Sequence, residues 1–210
     1  MRFNVFERQG FERWLLLFLV SITALAGADN EKTEFKARPA LSYPHHQTSE
    51  KVTIAAQAME TDDETREAFG KVNPNRYGVL PVLIVMQNDG PEAIRVDRMK
   101  LVYNLPDGSH VEATPAEDVR FLNGIREPKG LPGPTGGIAI KRNAKNPLAE
   151  WEIEGRAFAA KMIPSGQSAS GFAYFQVPHS SAAATVYISG LVNAVSGKEL
   201  YYFEIPMSGN

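Results

Sequence analysis

The sequence predicts a mainly β fold, a β-sandwich of seven or eight strands with two or three short helical inserts. Short apolar runs rich in β-branched and aromatic residues recur along the chain, and turn-forming residues separate them at short spacing. Signals for the start of a helix are few, and each precedes only a short segment. Many short strands punctuated by turns are the pattern of a sandwich.

Composition limits the classes of partner and chemistry. The chain has 210 residues, with 22 basic and 24 acidic side chains and a formal charge of −2. Nucleic acids and anionic membranes attract a clustered positive charge, so neither is expected as the main partner. The absence of cysteine excludes thiol catalysis, disulfides and cysteine-ligated metal centres. The length fits one domain, or one domain with an appendage.

Residues 1–28 have the form of a signal peptide. A segment with three arginines precedes the uncharged stretch 14–28, which is shorter than the roughly 20 apolar residues that cross a bilayer. Small residues offer cleavage sites after Ala26 and Ala28. We therefore expect cleavage near one of these residues and export to the periplasm or beyond, with membrane contact only through this segment before cleavage. An uncleaved anchor or a buried helix is the alternative.

The region after the signal peptide divides into an arm and a domain. Residues 29–50 mix charge and proline with few branched apolar residues, which predicts an extended N-terminal arm. A single β-sandwich domain is expected over 51–207, and its first strand over 51–56. Thr61 and Glu64 then have the spacing of a helix capping box, which predicts a short helix that Gly70 ends.

The most apolar run of the domain is 79–86. Its length, its branched residues and the turn residues on either side favour a strand buried on both faces over a helix. Pro81 lies near the start of this run, where the loss of a backbone donor is tolerated. We expect this strand at the centre of the core.

Alternating apolar and polar residues follow from 94 to 103. The alternation changes parity between Val96 and Met99, which indicates a bulge or a break into two strands. The segment 105–109 contains the Pro, Asp and Gly of a turn, so residues 111–113 are expected to return as the hairpin partner.

Two further helix signals flank a loop. Thr114 and Glu117 form a second capping box, which predicts a helix over 115–123. Asn146, followed by proline, predicts another helix that ends near Gly155. Between them, 125–145 is rich in glycine and proline, and loops of this length are usually functional or disordered.

The last third of the chain carries the remaining strand signals. Apolar runs predict strands over 158–163, 170–178, 185–191 and 199–206. Turn residues separate the first pair at 164–167 and the last pair at 196–198.

A resemblance to known proteins rests on a few of these motifs. A strand ends in Asn88-Asp89-Gly90, a hairpin passes through Asp107-Gly108, and Pro164, Gly166, Gly171 and Phe175 have the spacing P-x-G-x-x-x-x-G-x-x-x-F. This combination resembles exported bacterial immunoglobulin-like, telokin-like sandwich domains of unknown function. The segments 50–56 and 79–90 are also similar to an uncharacterised group of secreted acidobacterial proteins. The resemblance implies an immunoglobulin-like β-sandwich and brings no catalytic residues.

Histidines are the first candidates for a site. His45 and His46 are adjacent, and neighbouring residues of an extended segment point to opposite sides, so they bind one ion only where the chain turns. The other histidines are His110 and His179. An exposed arm is the simpler interpretation of the pair, and a metal-binding or pH-sensitive contact is the alternative. No metal and no cofactor is expected.

Other motifs give no enzyme signature. The acidic residues 62–64 lack the spacing and the central glycine of a calcium-binding loop, and the start of a helix explains them more simply. No nucleophile elbow, phosphate-binding loop or zinc-protease motif occurs. A serine triad assembled from distant residues stays open, because such triads occur in any chain order.

Two aromatic groups have two interpretations each. Phe172, Tyr174 and Phe175 form one group, and residues 201–203 form the other. Packing in the core, with the hydroxyls at its rim, is the simpler interpretation. The alternative is an exposed platform for carbohydrate or for another partner.

Two hypotheses of function follow. The first is a non-enzymatic, exported binding or scaffolding module of the bacterial cell envelope, which meets an envelope protein or polymer through a sheet edge or through the 125–145 loop. The candidate binding residues are His45, His46, Lys141, Arg142 and Lys145, the last three as a basic patch for an acidic partner. The alternative is a hydrolase or metal-dependent enzyme with a histidine site on loops.

Overall fold

The apolar run near residue 80 forms the central strand of the largest sheet. In the computed structural model, the described residues are 35–122, 146–178 and 183–207. They belong to one compact unit that begins at Phe35. The predicted signal peptide 1–28 and the whole of the 125–145 loop lie outside the described residues.

The described part of the chain is mainly β, with eleven strands and two α-helices. The strands are β1 (His46–Ser49), β2 (Val52–Ala58), β3 (Leu80–Asn88), β4 (Ile94–Arg95), β5 (Lys100–Asn104), β6 (His110–Glu112), β7 (Met162–Ile163), β8 (Ser168–Phe175), β9 (Thr185–Ser189), β10 (Val192–Asn193) and β11 (Phe203–Pro206).

The strands form three antiparallel sheets. Sheet 1 has the order β1-β2-β3-β8, sheet 2 the order β10-β4-β7, and sheet 3 the order β11-β9-β5-β6. In sheet 1, β3 pairs with β2 over seven residues and with β8 over eight. This double pairing places the predicted apolar strand at the centre of the sheet.

The two faces of sheet 1 contribute to different parts of the core. One face packs with the inner face of sheet 3, where Ile54, Ile84 and Phe175 share a cluster with Tyr103 and Ile188. The other face packs against the helical segments, where the buried residues are Ala55, Leu83, Val85, Phe172, Tyr174, Ala68, Phe69, Val119, Leu148 and Ile153. Burial on both faces of β3 agrees with the sequence prediction.

The first helix follows its sequence signals closely. Helix α1 (Asp62–Phe69) begins at Thr61, whose hydroxyl accepts from the Glu64 N–H while the Glu64 carboxylate accepts from the Thr61 N–H. Gly70 ends the helix with a φ of 66°, a conformation that glycine adopts without strain. The predicted capping box is therefore confirmed.

The second capping box does not produce the predicted helix over 115–123. The Thr114 N–H instead donates to the Tyr174 carbonyl at 2.7 Å and forms a bridge to β8. Only a short 3-10 helix (Val119–Phe121) follows in the described residues. Thr114 pairs with the backbone of β8, and this pairing outweighs the local signal for a helix.

The signal at Asn146 produces two short helical segments. A 3-10 helix (Pro147–Ala149) begins where the Asn146 side chain accepts from the Leu148 N–H. Helix α2 (Trp151–Gly155) follows directly and ends at the predicted glycine. Two more 3-10 helices occur, at Ala40–Ser42 and Pro74–Tyr77. No helix of the described residues has the length and apolar character to span a membrane.

The strand count exceeds the predicted seven or eight. The parity change between Val96 and Met99 separates β4 and β5, which belong to different sheets. Residues 46–49, which the sequence places in the extended arm, pair with β2 as β1. In the segment 158–163 only β7 is regular. Short strands of two residues are set by neighbouring chain segments, and the sequence pattern gives little sign of them.

Candidate functional site

A groove of about 530 Å³ opens beside the end of β2. A volume of this size lies within the range of small-molecule clefts. Its lining comes from the segment before β1, the end of β2, the start of α1 and the residue after β11. The lining residues are Arg38, Pro44, His45, Ala56, Gln57, Ala58, Glu60, Thr61, Glu64 and Met207.

The groove exists because β2 continues beyond the end of its neighbour. Pairing between the two strands runs to His46 and Ala55, and one further hydrogen bond joins the Ala56 N–H to the His45 carbonyl at 3.2 Å. On the other side, β2 stays paired with β3 as far as Ala58. Within the described ranges, no backbone hydrogen bond covers the last residue of β2 on the side of the groove.

The backbone of Ala58 points toward this open side. In an antiparallel ladder, alternate residues direct their N–H and C=O groups to opposite neighbours. Because Ala56 bonds toward His45, Ala58 directs its backbone the same way. The Met59 N–H bonds to the Pro81 carbonyl on the β3 side, which agrees with this alternation. Ala58 thus offers one backbone donor and one acceptor to the groove.

The carboxylate of Glu64 is occupied by the fold. Its Oε2 accepts from the N–H groups of Glu60 and Thr61 and from the Thr61 hydroxyl, at 2.9–3.0 Å. Its Oε1 accepts from the Gln57 amide at 3.4 Å. Glu64 therefore holds one wall of the groove in place.

Arg38 brings a positive charge to the lining of the groove. Its guanidinium lies 4.7 Å from the centre of the Tyr43 ring, and its backbone N–H donates to the Tyr43 hydroxyl at 2.9 Å. A cation over an aromatic face is held by the ring quadrupole. The segment before β1 is thereby fixed beside the groove.

The two adjacent histidines do not form one site. His45 lines the groove, whereas Nδ1 of His46 lies 2.7 Å from the Tyr43 carbonyl oxygen. His110 belongs to β6 in sheet 3, and His179 lies outside the described residues. No group of three His, Asp or Glu side chains suited to a metal ion occurs among the residues that the structure describes.

The basic candidates cannot be placed. Lys141, Arg142 and Lys145 all lie outside the described residues. Of the five candidate binding residues, the structure therefore positions His45 and His46, and only His45 in the groove. Arg38, Gln57 and Ala58 carry no sequence motif, so the sequence analysis missed them. Their place in the groove depends on where β1 begins.

A second surface lies on the outer face of sheet 3. The rings of Tyr187 and Tyr202 stack with centres 5.1 Å apart and an angle of 29° between their planes. Tyr202 is 52% exposed and Tyr201 is 71% exposed, although Phe203 beside them is fully buried. In a regular strand Tyr201 would face the core with Phe203. Strand β11 begins only at Phe203, so this alternation does not extend to Tyr201. We call Tyr187 and Tyr202 the tyrosine surface.

The aromatic residues therefore divide between the two interpretations. Phe172, Tyr174, Phe175 and Phe203 are buried in the core. The tyrosine pair at 201–202 is exposed, as the platform interpretation requires. The Tyr174 hydroxyl donates to the Ile153 carbonyl at 2.6 Å, and burial raises the pKa of Tyr174 well above its usual value.

Comparison with known proteins gives no family. No family model matches the chain, and no curated protein matches it. Among solved structures, the protein assigned as ApaA in Bordetella pertussis is 8% identical, covers 80% of this chain and 98% of its own, and has a TM-score of 0.36. A protein of unknown function from Listeria monocytogenes EGD-e is 12% identical, with coverages of 79% and 82% and a TM-score of 0.34. A structural-genomics target is 9% identical, with coverages of 77% and 90% and a TM-score of 0.34.

Proposed function

We propose that this protein is a non-enzymatic binding module of the cell envelope, which holds an extended segment of a partner in the groove beside β2. The observation that carries the proposal is the open backbone of Ala58 on the floor of that groove. An extended chain that enters there gains main-chain hydrogen bonds from a sheet edge, and side-chain pockets add selectivity. The cell envelope is proposed as its location because residues 1–28 have the form of a signal peptide.

Two other sheet edges are already covered. The outer edge of β8 is occupied by bridges from Thr114 and Ala157. On β11, the Glu204 N–H donates to the Gln47 side chain at 2.7 Å. Natural proteins commonly protect sheet edges in such ways. The end of β2 instead opens into a groove with polar walls.

The chemistry of the groove fits recognition better than catalysis. Glu64 is occupied by four donors of its own helix start and of Gln57. His45 and Arg38 each carry side-chain donors that can bind a partner's carbonyl or carboxylate oxygens. Sheets 1 and 3 pack face to face across one core cluster. This packing supports an immunoglobulin-like sandwich, which is part of the proposal.

The test is selection of peptides from a random displayed library on the purified protein, followed by hydrogen exchange on the complex. We expect the Ala58 amide to exchange more slowly when a selected peptide is bound. Ala58→Pro removes that donor without breaking a bond to β3, and it should abolish peptide binding. His45→Ala should weaken binding, while His110→Ala on sheet 3 is the matched control and should not.

Two outcomes would contradict the proposal. Peptides that bind Ala58→Pro as tightly as the unchanged protein do not use this edge. Peptides that protect amides of sheet 3 instead of Ala58 bind elsewhere. Circular dichroism of each variant checks that the β fold is intact before binding is compared.

A further inference from the structure

The chain itself already occupies the edge of β2 at one end of the groove. There the Ala56 N–H donates to the His45 carbonyl at 3.2 Å, and regular pairing with β1 continues from His46, opposite Ala55. An extended partner that bonds to the backbone of Ala58 lies on the same edge of β2, so it is in line with β1. Such a partner meets the backbone of His45 after about two residues, because Ala56 precedes Ala58 by two positions.

The direction of the partner decides which of its ends meets this block. Strands β1 and β2 are antiparallel, so a partner that is antiparallel to β2 runs in the same direction as β1. Its carboxyl end then points toward His45. A longer chain would have to turn away at this point, whereas a chain that ends there fits without a turn. A partner parallel to β2 would instead bring its amino end to His45.

The charged side chains of the groove distinguish these two directions. Arg38 and His45 both belong to the segment that leads into β1, and no ion pair with Arg38 occurs within the described ranges. The acids of the lining, Glu60 and Glu64, come from the segment after β2, and the start of α1 already holds the Glu64 carboxylate. A terminal carboxylate beside β1 therefore meets a guanidinium. A terminal ammonium would meet the same positive charge and be repelled.

Tyr43 positions the guanidinium of Arg38 near the start of β1. The Tyr43 hydroxyl accepts from the Arg38 N–H at 2.9 Å, and the guanidinium lies 4.7 Å from the ring centre. The Tyr43 carbonyl oxygen lies 2.7 Å from Nδ1 of His46, the first residue of β1. Since Tyr43 is buried and Arg38 is exposed, a fixed ring presents an accessible cation. A guanidinium can bind a carboxylate through two parallel hydrogen bonds.

We propose that the groove recognises the free carboxyl terminus of an extended peptide. The last residues of the peptide pair with Ala58 antiparallel to β2, and the terminal carboxylate binds Arg38. This inference rests on the proposed function, because it requires a partner strand at Ala58. It adds the direction of that strand and the chemistry of its end. The same residues in the middle of a longer chain lack the carboxylate and bind weakly.

The test compares peptides that differ only at the carboxyl end. Two random peptide libraries are displayed, one with a free carboxyl terminus and one with that end joined to the carrier, and we expect binders from the first. Each selected peptide is then synthesised as the free acid and as the amide, and fluorescence anisotropy measures both affinities. Amidation should weaken binding about tenfold or more, because a charge-assisted pair of hydrogen bonds is lost.

Variants at Arg38 test the source of this preference. Arg38→Gln should weaken binding of the free acid to the level of the amide and leave binding of the amide unchanged. Arg38→Lys keeps the positive charge, so it should retain part of the preference for the acid. Arg98→Gln is the matched control, since Arg98 is exposed in the turn between β4 and β5 and does not line the groove. This control should prefer the acid as strongly as the unchanged protein does.

Two results would overturn this inference and leave the proposed function standing. In the first, acid and amide bind equally well while the Ala58 amide is protected from hydrogen exchange. In the second, the preference for the acid persists in Arg38→Gln, which places the carboxylate elsewhere. If no peptide protects the Ala58 amide, the proposed function itself fails and this inference fails with it.

Discussion

The side-chain oxygen of Gln47 accepts a hydrogen bond from the backbone N–H of Glu204 at 2.7 Å. Gln47 belongs to β1 at the edge of sheet 1, and Glu204 belongs to β11 at the edge of sheet 3. One amide side chain therefore connects two sheet edges and covers a backbone donor that would otherwise face solvent. The same contact holds β1 beside β11, next to the groove.

Replacing Gln47 with leucine should lower the free energy of unfolding by about 0.5–1 kcal/mol, because the Glu204 N–H loses its protein partner but can still reach water. Urea unfolding followed by circular dichroism measures the change. Gln176→Leu is the matched control, since Gln176 is exposed and follows β8. An equal loss in both variants would show that the bond to Glu204 contributes nothing specific.

Asn88 is a buried amide whose NH2 group and carbonyl oxygen both make hydrogen bonds. Its Nδ2 donates to the carbonyls of Glu92 and Ile163 at 2.8 and 3.1 Å, and its Oδ1 accepts from the Gly90 N–H at 3.0 Å. Asn88→Ala leaves these buried groups without partners and should cost about 2–4 kcal/mol. Thermal unfolding of this variant beside Asn104→Ala, whose amide makes one long bond, checks the prediction. Similar melting temperatures would count against it.

The backbone of Phe158 passes very close to β8 at Gly171, which has no side chain. A Cβ atom at this position would lie 2.4 Å from the Phe158 Cα and 2.5 Å from its N. Gly171→Ala should therefore cost about 3 kcal/mol or more, because backbone must move. Gly108→Ala, in an open turn with a φ of 83°, should cost only about 1 kcal/mol. Denaturant midpoints of the two variants give the comparison, and the reverse order would refute the argument.

Tyr103 carries a fully buried hydroxyl that has no hydrogen-bond partner among the described residues. Burial, together with a smaller effect of the negative charge of Glu60, raises the pKa of Tyr103 to about 12. Since this value lies above the usual one of about 10, ionisation of Tyr103 disfavours the folded state, so the stability is unaffected below pH 10 and falls as the pH rises toward 12. The loss is about 2–3 kcal/mol.

The Tyr103→Phe variant tests both the cost of burying the hydroxyl at neutral pH and the effect of its ionisation at high pH. At neutral pH it should be as stable as the unchanged protein or up to about 1 kcal/mol more stable, because an unpaired buried hydroxyl is removed. Above pH 10 its stability should fall less steeply. Unfolding curves at a series of pH values measure this. A variant that loses stability at neutral pH would indicate a partner for the hydroxyl.

Much of the fold could be predicted because its signals lie within a few residues. The capping box of Thr61 and Glu64, the stop at Gly70 and the turn through Gly108 each depend on neighbours along the chain. The burial of β3 on both faces also follows from its own residues, since a continuous apolar run leaves no polar face. These features depend on local conformation and on the removal of apolar area from water.

The candidate sites depend on contacts between distant residues. The helix expected after Thr114 is replaced by pairing with Tyr174, 60 positions later. The groove exists because β1 begins opposite Ala55 while β2 continues to Ala58, and no residue type in either strand predicts where their pairing stops. Tyr202 is exposed because its neighbour Phe203 enters the core. Partner, register and strand end are set by packing across the whole domain, which local residue patterns do not contain.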